Sequence, residues 1–81
     1  MTNKDKYTKV FVDTFGITEE QAVSLKYQDI VEWDSVGHMD LISELEEAFD
    51  IAIGTEDIVN LNSYETGLEI IDKNYGINFD N

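Results

Sequence analysis

Cysteine, proline and arginine are all missing from this 81-residue chain. Without cysteine there is no disulfide framework, no thiolate metal site and no cysteine nucleophile. Without proline, the helix ends must be set by capping residues and glycines. Long apolar runs are missing as well. Nothing approaches the ~18 residues of a membrane span and no cationic-then-apolar leader opens the chain, so the cytoplasm is the expected compartment. With 42% hydrophobic and 28% charged residues there is material for one small core. Domains usually need on the order of 100 residues each, so residues 1–81 are expected to form a single domain.

Positive charge is scarce. Eighteen Asp and Glu stand against five Lys, for a formal net charge of −13. Lys4, Lys6 and Lys9 crowd the first nine residues, and no Lys lies between Lys26 and Lys73. Such a field repels phosphate backbones and anionic lipid, which argues against nucleic-acid and membrane binding. It favours basic protein partners or divalent cations. Acidity also keeps a small protein soluble, at the cost of self-repulsion. A monomer is the simplest expectation.

What is present reads as helix. No segment alternates with a period of two, and there is no Asn-Gly or Asp-Gly hairpin signal. Tyr7, Val10, Phe11, Thr14 and Phe15 recur at helical spacing, with Gly16 as a stop, giving a first helix from about Asn3 to Phe15. Thr18 to Gln21 fits a capping box that opens one or two turns reaching Leu25. Lys26 to Trp33 reads as a loop anchored by Ile30 and Trp33. A second long helix runs from Asp34 to Asp50. Thr55 is expected to cap a short turn carrying Ile58 and Leu61. Ser63 is expected to cap a last helix with Tyr64, Leu68, Ile71 and Tyr75 on one stripe, stopped by Gly76. The expected fold is all-α: a four-helix bundle of three longer helices and one short one, with residues 77–81 a flexible tail whose Ile77 and Phe79 could still tuck against the bundle.

The helix from Asp34 carries the chemistry. At about 100° per residue, one arc collects His38, Leu41, Ile42, Leu45, Ala48 and Phe49 and must face the core. The opposite arc collects Asp40, Ser43, Glu44, Glu46, Glu47 and Asp50. Val36 and Met39 interrupt it near the helix start, beside Ser35. The first N–H groups of a helix lack intrahelical partners and carry positive potential, so a phosphate on Ser35 would meet backbone donors there. An Asp-Ser pair before a helix also suits plain N-capping by either residue.

The string Trp33-Asp34-Ser35-Val36-Gly37-His38-Met39-Asp40-Leu41-Ile42, continued by Leu45-Glu46-Glu47-Ala48-Phe49-Asp50-Ile51, resembles the acyl carrier protein family. There an Asp-Ser-Leu motif opens an acidic helix that ends in Glu-Glu-x-Phe-x-Ile. The likeness extends from about Lys4 to Tyr75. Val36 stands where leucine is usual, and Trp33, Gly37 and His38 also depart from the common fatty-acid carriers, which suggests a specialised member. The resemblance implies that Ser35 carries 4′-phosphopantetheine, attached from coenzyme A by a Mg²⁺-dependent phosphopantetheinyl transferase, with Asp34 as motif neighbour. It implies a carrier and not an enzyme. The thiol of the arm would hold an acyl or aminoacyl cargo as a thioester. Loading ligases or transferases and downstream enzymes would meet Val36, Met39, Asp40, Glu44, Glu46 and Glu47 through basic patches.

Other sites are weaker. His38 with Ser35 and Asp34 could suggest a hydrolase, which needs an oriented base and an oxyanion donor pair. Nothing resembles a strand-to-helix elbow, however, and His38 falls on the core-facing arc. Asp72 to Asp80 is superficially like a calcium loop, yet its glycine is one position early and the chain ends before a closing glutamate, so no built metal site is expected. The alternative to a carrier is an unmodified acidic interaction or regulatory adaptor module.

Overall fold

The computed structural model describes residues 1–79. It contains α1 (Asn3–Phe15), α2 (Glu19–Ala22), α3 (Ser35–Phe49), α4 (Thr55–Asn60) and α5 (Tyr64–Tyr75). Among the described residues there is no strand, only an isolated bridge between Lys26 and Ser63. None of the described helices is long and apolar enough to cross a membrane. The all-α expectation holds, with the turn after Thr18 forming the four-residue α2.

Local chemistry explains the boundaries. The Thr18 hydroxyl accepts the Gln21 N–H while the Gln21 side chain takes that of Thr18, the reciprocal pair that starts α2. Thr2 and Asp5 form the same arrangement ahead of α1, whose start near Asn3 was expected, though not this capping pair. Gly16 and Gly76 stop α1 and α5 in the left-handed region at φ 65° and 70°, where a side chain would be strained. Ser63 caps α5 by accepting the Thr66 N–H at 3.0 Å. The start of α4 corrects the expectation. Gly54, not Thr55, is the cap residue, and no side chain satisfies that end.

α1 and α3 are antiparallel. Phe15, at the end of α1, stacks on Trp33 just before α3 at 5.4 Å, while Lys6, near the start of α1, lies 5.0 Å over the ring of Phe49 at the end of α3. Tyr7, Val10, Phe11 and Phe15 bury one face of α1 against Leu41, Ile42, Leu45 and Phe49 of α3. Tyr64, Leu61 and Ile71 close the core from the α5 side. Aromatic edges fill much of it, with Phe11 edge-on to both Trp33 and Tyr64. The buried hydroxyls are satisfied: Tyr7 donates to the Tyr64 carbonyl at 2.7 Å, and Thr8 Oγ1 bridges the Lys4 carbonyl and the Tyr64 hydroxyl.

The long connection between α2 and α3 is pinned rather than loose. Leu25 is buried and its carbonyl takes the Tyr64 N–H, while the Tyr27 N–H reaches the Asn62 carbonyl. The far end of the chain is packed as well. Phe79 lies edge-on to Tyr7 and Phe49, and the Asn78 carbonyl accepts from Asn3. The flexible tail expected over residues 77–81 is therefore corrected as far as Phe79, because the Tyr7 and Phe49 rings give this segment an apolar seat. Asp80 and Asn81, the remainder of that stretch and of the calcium-loop-like one, lie outside the described residues.

Candidate functional site

The start of α3 assigns separate tasks to neighbouring residues. Asp34 is the N-cap: its Oδ1 accepts the Gly37 N–H at 2.8 Å, and its carbonyl accepts the His38 N–H at 2.8 Å. Ser35 is then the first helical residue, exposed, with no capping role for its hydroxyl. The first two N–H groups of the helix, on Ser35 and Val36, find no acceptor among the described residues. The nearest polar side-chain partner of Ser35 Oγ is the hydroxyl of Tyr27, at a long 3.5 Å. Here an exposed nucleophilic oxygen stands at the positive end of a fifteen-residue helix.

Two features hold this helix start in place. Gly37 is buried where the loop crosses the helix, so close that a β-carbon there would overlap the Glu32 carbonyl. Trp33 is 0% exposed and donates its indole N–H to His38 Nδ1 at 2.9 Å. An indole can only donate, so Nδ1 carries the lone pair. His38 Nε2 then holds the proton and gives it to the Ile58 carbonyl at 2.7 Å. With both ring nitrogens engaged, His38 has none left to accept a proton from Ser35, which removes the hydrolase-like reading of Ser35, His38 and Asp34. His38 is a half-buried structural bridge between the loop, α3 and α4.

Around Ser35, Val36 is 71% exposed and Met39 51%, two apolar groups open to solvent beside the serine. Asp40, Glu44 and Glu47 are exposed along the same helix. A groove of about 360 Å³ between α1 and α3 is lined by Asp13, Thr14, Asp40, Ser43 and Glu44, so α1 extends the acidic face. Glu46 corrects the helical-wheel expectation. It is half-buried and turns back to accept the Ile53 N–H at 2.8 Å, which makes it a brace for the α3–α4 connection instead of part of the open face. No group of three or more potential metal ligands comes together among the described residues.

An apolar hollow of about 240 Å³ adjoins this end of α3, lined by Tyr27, His38, Ile58, Val59, Leu61 and Asn62. Tyr27 links it to Ser35. The sequence reading missed this neighbourhood, since a loop tyrosine and a carbonyl on a short helix carry no periodic signal.

In 71 residues, 86% of this chain and 91% of the relative, the protein is 31% identical to an acyl carrier protein of Chlorobium phaeovibrioides. No family model matches the chain. No solved structure matches it either.

Proposed function

Because the chain belongs to the acyl carrier protein family, we propose that Ser35 bears 4′-phosphopantetheine and that the protein carries an acyl or aminoacyl group between biosynthetic enzymes. The arm supplies a thiol that holds the cargo as a thioester, so the absence of cysteine from the chain is no obstacle.

The observation supporting this reading most strongly is the freedom of the Ser35 hydroxyl. Asp34 already serves as the side-chain cap, leaving Ser35 Oγ exposed and available to a modifying enzyme. A phosphodiester at Ser35 would lie beside the unpartnered N–H groups of Ser35 and Val36, where a helix favours negative charge. Val36 and Met39 provide short-range apolar contact, and Asp40, Glu44 and Glu47 provide long-range attraction for a basic partner surface. Attraction of this kind speeds encounter while each exposed pair adds little affinity. A carrier has to leave one enzyme for the next, and such a face suits that duty.

Incubation with coenzyme A, Mg²⁺ and a broad-specificity phosphopantetheinyl transferase tests the proposal by intact mass. One arm should be added to the native chain and none to Ser35→Ala. A native chain that stays unmodified under a transferase active on other carriers would favour an acidic adaptor module.

A further inference from the structure

α4 is weakly held. None of its residues is fully buried, and no side chain caps its start. Beside the partly buried Ile58 side chain, its attachments are polar: Asp57 accepts from Asn74 and Tyr75, the Gly54 N–H reaches the Tyr75 hydroxyl, and the Ile58 carbonyl takes the proton of His38 Nε2. The last is the one hydrogen bond among the described residues that joins α3 to α4. The imidazole making it accepts the Trp33 indole N–H on its other nitrogen and lies nearly coplanar with that indole, at 18°, so both ring nitrogens are held. The same ring lines the apolar hollow beside Ser35.

Resting on the carrier reading above, we propose that His38 limits the size of the apolar cargo this protein can shelter. With the imidazole bonded to Ile58, the hollow is about 240 Å³, below the roughly 300–1,000 Å³ of pockets that enclose drug-sized ligands. Leu61 in its lining is fully buried and the imidazole forms another part of the wall, so removing the ring or releasing α4 enlarges it. A short acyl group fits against Tyr27, Ile58 and Val59. A long chain has to stay outside, where its apolar surface remains in water, unless the latch opens.

The native chain and His38→Ala are loaded on Ser35 from acetyl-, butanoyl-, octanoyl- and tetradecanoyl-coenzyme A, confirmed by intact mass, and melted. In the native chain, octanoyl and tetradecanoyl should raise Tm by less than about 1 °C beyond butanoyl; in His38→Ala the tetradecanoyl form should gain more than about 4 °C over butanoyl. Equal chain-length gains in both proteins, or none in either, overturn the latch. Imidazole ¹⁵N signals of the native chain give a readout that needs no variant. They should match in the butanoyl and tetradecanoyl forms, and loss of the Nε2–H signature with the longer chain overturns the proposal. A native chain that gains no mass overturns the carrier reading together with the latch, whereas mass gain with the wrong melting pattern overturns the latch alone.

Discussion

Asp34 caps α3 through Oδ1, and one residue later the hydroxyl of Ser35 is left to solvent. The two side chains are adjacent in sequence and opposite in consequence. Asp34→Ala removes the acceptor of the Gly37 N–H and should cost about 0.5–2 kcal/mol. Ser35→Ala removes only the long, exposed contact with the Tyr27 hydroxyl and should stay within about 0.5 kcal/mol of the native chain while losing modification. Urea denaturation of both variants checks this. A Ser35→Ala loss as large as that of Asp34→Ala would mean the serine has a structural role.

Gly37→Ala should destabilise the protein although alanine is the better helix former by ~1 kcal/mol. The new methyl would overlap the Glu32 carbonyl, and the crossing loop must shift to admit it. Overpacking of this kind costs about 1–3 kcal/mol. Thermal melting decides the sign: a variant more stable than the native chain would show that the loop yields freely.

The proton bonded to the Ile58 carbonyl should sit on Nε2 of His38, since Trp33 approaches Nδ1 as a donor at 2.9 Å. Two-bond ¹H–¹⁵N correlation near neutral pH should show that tautomer. Trp33→Phe should release the ring and bring the two nitrogen shifts closer to those of an exchanging imidazole. A native spectrum with the proton on Nδ1 would contradict the arrangement.

Tyr7 is held well above its ordinary value near 10.0, by burial first and by Tyr64 second. An unfolded tyrosine loses its proton near 10, so above that pH the unfolded state binds fewer protons than the folded one. The contribution of Tyr7 is therefore fully present below about pH 10 and is lost as pH rises further. Urea midpoints should fall as pH rises from about 9.5 to 11.5, and more steeply in the native chain than in Tyr7→Phe. Parallel slopes would place the alkaline loss elsewhere.

Much of this fold was legible because its signals are local. The Thr18–Gln21 box, the Ser63 cap and the Gly16 and Gly76 stops depend on residues a few positions apart. The arc of Leu41, Ile42, Leu45 and Phe49 follows from helical geometry alone, and all four are buried. What escaped depends on distant partners. Glu46 lies on the polar side of the wheel, yet an N–H from the α3–α4 connection draws it inward. That Phe79 could tuck in was readable, but not its seat on rings 72 and 30 positions earlier in the chain, at Tyr7 and Phe49. Trp33 could be read as an anchor, but its indole bond to His38, and the onward bond to Ile58, needed the fold. Ser35 itself could be placed at a helix start, while the choice between it and Asp34 as the cap required the geometry.

The antiparallel pairing of α1 with α3 also sorts charge. Lys6 rests on Phe49, so the lysine-rich first turns of α1 sit at the opposite end of a fifteen-residue helix from Ser35, about 20 Å away at 1.5 Å per residue. Three of the five cations are thereby gathered at one pole and the serine at the other. A positively charged surface repels those three lysines wherever it meets them, and the serine end lies clear of that repulsion.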